Sequence, residues 1–381
     1  MLNTRFLELF VYALLALQNV KAQDSETLYN EGLQLKKEKK INEAFEKFKA
    51  AVSLKPDYTA ALYECGWCQN DLKKYSSAVA YLRKARVGGW ESVPKVHFEL
   101  GYAFDKQDMF DSAVKSYKRC LELKPDYSGA LRQLGYIAYF KDDYTLAIDY
   151  FKKYEGAAKE EITDYQYWYR KGFCFNALKD YTSAKINLLK SLSFKENYTS
   201  TYLELGFACT KLKTQDEEAI AYFKKAIELE PQNHVPYKCI GEVYRDNKKN
   251  MDEAILWYNK TLTVKPRERK AHYGIGYCLN SKGQYDEAIN YLKIAIEEEP
   301  GYTAAYVELG YSYYKTGKYN DALINLNKAI SLNPKNENAR YYSTLIYVSQ
   351  KNKTMAQKMV NELKELSSKH VAALQPKVDA L

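Results

Sequence analysis

Cysteine and histidine are the side chains best suited to nucleophilic, redox or metal chemistry near neutral pH, and their spacing comes first. Cys65-Gly66-Trp67-Cys68 has the C-x-x-C spacing of a thiol redox pair or half a metal site. A redox pair needs one thiol exposed at a strand-to-helix junction, with its pKa lowered. Both cysteines here fall inside one helical apolar run, so a small apolar filler is the simpler reading. A thiol oxidoreductase using Cys65 and Cys68 is the less favoured alternative. The seven cysteines form no regular disulfide framework, and the four histidines, His97, His234, His272 and His370, form no constellation. No H-E-x-x-H, phosphate-cradling glycine loop or G-x-S-x-G occurs. The sequence predicts no enzyme, no catalytic residues, no metal and no cofactor.

The elements that carry these residues repeat. Thr303 and Arg269 open two segments that align at an offset of 34, matching Gly310 with Gly276, Ala322 with Ala288, Ala329 with Ala295 and Pro334 with Pro300. The same glycine recurs at Gly241, Gly206, Gly172, Gly135, Gly101, Gly66 and Gly32. A small residue follows it by twelve or thirteen places, as at Ala44, Ala78, Ala113, Ala147, Ala184, Ala219 and Ala254. Proline closes many units, at Pro56, Pro125, Pro231 and Pro266 among others.

Each unit carries two apolar runs at helical spacing, parted by a polar turn such as Lys315-Thr316-Gly317-Lys318. That pattern is a helix hairpin, and the glycine and alanine let its helices approach closely. One hairpin cannot bury its apolar face alone, so neighbours must stack. Nine units are expected at 25–58, 59–92, 94–127, 128–161, 165–198, 199–233, 234–268, 269–302 and 303–336. Residues 337–381 read as a degenerate hairpin and C-terminal cap, with Thr344 where glycine would stand and a tail frayed at its end. Two departures are expected to bend or loosen the stack: Val87-Gly88-Gly89-Trp90, which lacks the closing proline, and the extension within 156–164.

This pattern resembles the tetratricopeptide repeat family. The carriers are a large residue early in the first helix (Trp168, Tyr306), then Leu-Gly (Leu100-Gly101, Leu134-Gly135, Leu205-Gly206, Leu309-Gly310). An alanine in the second helix, an aromatic four residues later (Phe48, Tyr117, Phe151, Phe223, Tyr258) and the closing proline complete it. The resemblance implies an all-α, right-handed superhelical solenoid whose first helices line a concave groove. The lysine-and-asparagine clamp by which some members hold chaperone tails is missing from the first unit, where Tyr29 and Leu33 stand.

Composition agrees with a folded, non-catalytic chain. Of 381 residues 46% are hydrophobic and 14% aromatic, enough apolar surface for an extended core. The net charge of +9 is spread out, so no nucleic-acid partner is expected. Tyrosine is over-represented at 37 residues, and one set falls on the groove side of the first helices. In the N-terminal half it comprises Tyr63, Trp67, Tyr102, Tyr136, Tyr139, Tyr169 and Phe173. In the C-terminal half it comprises Phe207, Tyr273, Tyr277, Tyr311 and Tyr314. Rigid rings with polar edges suit a binding surface for a protein or peptide. Asn70, Asn176 and Asn280 are expected to hydrogen-bond a ligand backbone, with Arg132, Lys238 and Arg245 adding positive charge. The run Lys36-Lys37-Glu38-Lys39-Lys40 reads as a solvated turn. A glycan-binding module of the envelope is the second reading, since aromatic rings also stack on sugars.

Residues 1–22 read as a signal peptide: Arg5, an apolar stretch Leu9 to Leu17, and Val20-Lys21-Ala22 before the cut. The stretch is shorter than the roughly 20 residues a bilayer requires. It is similar to the signals of Bacteroidetes-type exported proteins. A mature chain without a membrane span is therefore expected, in the periplasm first and secreted second, acting as a non-catalytic scaffold or adaptor.

Overall fold

A computed structural model describes residues 24–212 and 215–381, all helix and short connections, with no strand among the described residues. The signal-peptide expectation for 1–22 lies outside them. The chain divides into two units at Leu178 and Lys179. The first unit holds α1 (24–37), α2 (Ile41–Leu54), α3 (Thr59–Asp71), α4 (Tyr75–Ala85), α5 (Pro94–Asp105), α6 (Phe110–Leu123), α7 (Ser128–Phe140), α8 (Tyr144–Ala157) and α9 (Tyr165–Ala177). The second holds α10 (Tyr181–Phe194), α11 (Thr199–Lys211), α12 (Asp216–Leu229), α13 (His234–Asp246), α14 (Met251–Val264) and α15 (Arg269–Ser281). It continues through α16 (Tyr285–Glu298), α17 (Thr303–Lys315), α18 (Tyr319–Leu332), α19 (Glu337–Ser349), α20 (Lys353–Glu365) and α21 (Val371–Asp379).

Within each unit, helices pair as antiparallel hairpins that stack on their neighbours: α3 with α4, α5 with α6, α7 with α8, and again α13 with α14, α15 with α16 and α17 with α18. The pairs close because glycine and alanine leave room for the larger side chain of the partner helix. A Cβ on Gly101 would lie 2.6 Å from the Tyr117 ring, and one on Gly310 would lie 2.6 Å from Leu326. The alanines expected in the second helices are fully buried: Ala44, Ala78, Ala113 and Ala147 in one unit, Ala219, Ala254, Ala288 and Ala322 in the other. Side chains of opposite size thus interlock, and the apolar faces of adjacent hairpins supply the remaining core.

The hairpin turns need one residue with positive φ. Lys39, Lys73, Asp108 and Asp142 fill that place in the first unit; Lys249, Gly283, Gly317 and Lys351 do so in the second. At Lys73 (φ 59°) the turn is closed by Lys74 N–H donating to the Gln69 carbonyl at 2.8 Å. A lysine Cβ crowds the backbone in this conformation, whereas Gly283 and Gly317 adopt it freely. Lys73→Gly is therefore expected to stabilise the hairpin by about 0.5–1 kcal/mol, part of the relief being offset by greater freedom of the unfolded chain. A lower urea midpoint for the variant would contradict this.

Both departures from the repeat are well tied. Val87-Gly88-Gly89-Trp90 extends α4 by a π-helical turn over Arg86–Trp90 that kinks at Gly89, whose φ of 118° is not helical, before Pro94 opens α5. The segment after α8 does not loosen: Trp168 Nε1 donates to the Ile162 carbonyl at 2.7 Å, and Asp164 caps α9 by accepting from Gln166 N–H at 2.9 Å. The tail is helical in part, as α21, and Leu374 and Val378 are fully buried against α20. Among the described residues no helix is long and apolar enough to cross a membrane.

Candidate partner-binding groove

In each unit the first helices of successive hairpins touch one another directly: α3 meets α5 and α7 meets α9, while α13 meets α15, α15 meets α17 and α17 meets α19. The aromatic residues singled out from the sequence lie on these first helices, which touch in succession from α11 to α19 in the second unit. The structure leaves most of these rings half-buried. Tyr63 is the exception on the buried side, because the π-helical turn carries Trp90 onto it with ring centroids 5.4 Å apart. Lys95 covers both rings, its Nζ 4.2 Å from the Tyr63 centroid and 4.6 Å from Trp90. Tyr63 is thus a packing residue more than a groove residue. Phe207 is the exception on the exposed side, 41% accessible on α11.

The remaining rings in the first unit pair with cations or with each other. Lys36 sits 3.6 Å from the Trp67 centroid while its ammonium meets Glu64 at 2.6 Å. Lys36 therefore belongs to the face and not to the solvated turn expected for its run. Tyr102 packs on Tyr75. Tyr136 donates its hydroxyl to Asp164 at 3.0 Å and lies under the Arg170 guanidinium at 4.5 Å. Tyr139 and Phe173 meet edge-on at 5.5 Å, and Tyr169 flanks Phe173. Phe140, beside this cluster, is 63% exposed.

In the second unit, Arg245 lies between Tyr273 and Tyr277, 5.9 Å and 5.6 Å from their centroids, and forks onto Asp246. Its charge is already paired within the chain. Tyr311 packs on Tyr342 at 4.9 Å, and Tyr314 on Tyr319.

The asparagines do something the sequence reading missed. Asn70 of α3 donates to both the backbone carbonyl and the carboxylate of Glu99 on α5, at 3.0 and 2.7 Å. Asn280 of α15 does the same to Glu308 on α17, at 3.1 and 2.9 Å. Both asparagines are buried, so they tie neighbouring first helices together instead of reaching a ligand. In the second pair Ser312 donates to Asn280 Oδ1 at 2.7 Å; Ala103, the equivalent residue beside Asn70, offers no hydroxyl. The signal was present as an Asn followed by Glu 28 or 29 residues later.

Burial pushes the Glu99 carboxyl from 4.5 up to about 7, the Asn70 donor and Lys36 drawing back only part of that rise. Below pH 4.5 the folded and unfolded chains both hold the proton. Between 4.5 and about 7 the unfolded chain releases it while the folded chain keeps it, so stability falls as pH rises and levels off above 7. Glu99→Gln keeps an acceptor for Asn70 without the charge. It is expected to remove this slope and to stabilise the protein at pH 8 by about 1–3 kcal/mol. Parallel urea titrations of both proteins at pH 5 and pH 8 check this; an unchanged slope would count against it.

The C-x-x-C thiols lie inside the stack. Cys65 and Cys68 are fully buried on α3, and burial pushes the Cys68 thiol up to about 12, the reverse of an activated nucleophile. Cys174 and Cys278 occupy equivalent buried places. His97 donates from Nε2 to the Glu91 carbonyl at 2.7 Å, and His272 pairs with Glu298. Among the described residues no three His, Cys, Asp or Glu side chains converge to hold a metal ion.

Three stretches of the chain, 94–127, 165–198 and 199–233, match the family described as tetratricopeptide repeat. Residues 247–329 match the family described as anaphase-promoting complex, cyclosome, subunit 3. The chain carries tetratricopeptide repeats and is built as the all-α hairpin stack that such repeats form. BBSome complex member BBS4 of Bos taurus is 25% identical over 182 residues, 48% of this chain and 34% of that protein. Its Mus musculus counterpart is 24% identical over 141 residues, 37% of this chain and 26% of that one. The chain thus spans about a third or less of the curated relatives it matches. Among solved structures, PilW, a type IV pilus biogenesis factor, superposes with TM-score 0.51 at 18% identity, covering 55% of this chain and 98% of that one. The anaphase-promoting complex hetero-tetramer Cut9–Hcn1 gives TM-score 0.50 at 12% identity, covering 93% and 96%. These similarities concern the fold.

Proposed function

We propose that the protein is a non-catalytic interaction scaffold of the cell envelope that holds a peptide or partner segment on the first-helix face. The observation that carries this reading is the accessible rings on the first helices of each unit: Phe140 exposed with Tyr139, Tyr169 and Phe173 half-buried in the first, and Phe207 exposed with Tyr277 and Tyr314 half-buried in the second. Fixed rings contribute contact area at little entropic cost. One feature supports it further: similar proteins are named as members or builders of assemblies. Export rests on the pattern of residues 1–22.

The test is affinity capture from an envelope extract with tagged residues 23–381, beside a Tyr139→Ala, Phe207→Ala, Tyr314→Ala variant of the same fold by circular dichroism. A protein captured by the parent and lost from the variant is the expected result. Identical capture by both proteins removes the groove reading. Capture of no protein, with glycan-array binding lost in the variant, replaces it with the sugar-binding one.

A further inference from the structure

The π-helical turn after α4 also shapes a cavity on the opposite, second-helix side of the first unit. About 630 Å³ in volume, it is floored by Leu100 and Phe104 of α5 and walled by α4 and α6. Four cations border it: Arg83 and Arg86 from the α4 side, Lys115 and Arg119 from α6. Two carboxylates, Glu91 and Glu122, border it as well, leaving a surplus of two positive charges. Arg119 is held by Glu122 at 2.8 Å, and Arg83 lies against the Phe104 ring at 5.7 Å. Neither Arg83 nor Lys115 has a carboxylate partner among the described residues.

Glu91 is the informative residue. It directly follows the π-helical turn, where the ordinary repeat would close on proline, and its side chain is 59% exposed. Its carboxylate nevertheless reaches back between two guanidinium groups, 3.2 Å from Arg86 Nε and 4.0 Å from Arg119 Nε. His97 Nε2 holds the backbone carbonyl of Glu91 at 2.7 Å and lies 3.9 Å from its carboxylate. Arg86 Nε is buried and gains no aligned hydrogen bond from this pairing. The carboxylate therefore stands loosely in a place built for an anion.

The geometry points to a binding site for a small organic phosphate monoester, its phosphoryl group displacing the Glu91 carboxylate from between Arg86 and Arg119. With Glu91 displaced, the four cations face Glu122 alone, a surplus of three positive charges; a phosphoryl group, with about −1.5 to −2 charge near neutrality and three acceptor oxygens, offsets most of it, more than a carboxylate could. Arginine forks bind such groups with two parallel hydrogen bonds, and Lys115 adds a mobile point charge. The Leu100 and Phe104 floor receives the carbon skeleton, and the volume lies in the range of about 300–1,000 Å³ usual for small ligands. The site shares no element face with the aromatic row and does not depend on the scaffold reading.

Calorimetry with phenyl phosphate on the chain from residue 23 tests this, using variants that must move in opposite directions. Arg119→Gln and Lys115→Gln are each expected to weaken binding about tenfold, as removal of a charge-assisted bond to an oxyanion does. Glu91→Gln removes the competing carboxylate while leaving the His97 contact to its backbone, and is expected to tighten binding severalfold. Inorganic phosphate is expected to bind more weakly than phenyl phosphate; equal affinity would overturn the organic part of the assignment. No heat with phenyl phosphate at millimolar concentration, or the same affinity in parent, Arg119→Gln and Glu91→Gln, would overturn the site.

Discussion

Gly135→Leu is expected to cost about 3 kcal/mol, the upper end of ordinary overpacking. Gly135 lies on α7 directly against the Phe151 ring of α8, where even a Cβ would overlap ring carbons. Phe151 cannot retreat, because it is fully buried and its other face meets the Tyr167 ring at 5.1 Å. The helices must separate or the Phe151 rotamer must break, and either exposes apolar surface to the next hairpin. Gly156 provides the control within the same unit. A Cβ there meets nothing within 4 Å, and the residue sits inside α8, so Gly156→Ala is expected to stabilise by about 0.5 kcal/mol through helix propensity alone. Stability in a stack of hairpins is partly local, so hydrogen exchange across α7 and α8 reports the change more directly than a global melt. Equal protection in the Gly135→Leu variant and the parent would show that the small-residue contact is not what closes this hairpin.

The fold was legible because its determinants recur. A glycine, a small residue about twelve places on, an aromatic four later and a closing proline each have a steric reason, and repetition separates them from chance. The groove was legible only in part. Helical spacing placed the rings on the first-helix face, but their exposure depends on residues far away in sequence: Trp90 covers Tyr63 only because the chain makes a π-helical turn there. Asn70 and Asn280 look free in a single-repeat reading, since each finds its Glu in the following repeat. Lys36 was hidden for the same reason, its partners Glu64 and Trp67 lying one hairpin on. Single-unit periodicity assigns faces well and fails for polar ties between neighbours.

The same blindness concealed a buried polar contact between α8 and α9 of the first unit, and it yields a second large effect. Lys171 of α9 is buried at 7% exposure with its ammonium against Glu155 of α8. The Tyr167 hydroxyl donates to the same Glu155 oxygen at 2.8 Å, with the Phe151 carbonyl 3.1 Å away as a second acceptor sharing its single proton. The three groups join α8 to α9 across the extension at 156–164, and they explain why that extension does not loosen the packing. Glu155→Ala leaves an ammonium with no counter-charge in a site that water reaches poorly. Breaking a buried pair from one side costs about 3–5 kcal/mol; the 30% exposure of Glu155 brings the expectation to about 2–3 kcal/mol. Adding Lys171→Met should restore most of that loss, since methionine fills a similar volume and requires no partner. Urea midpoints of the parent, both single variants and the double variant complete the cycle. If Glu155→Ala and the double variant were equally destabilised, the cost would lie in the lost Tyr167 hydrogen bond, and the ion pair would contribute nothing to joining the two helices.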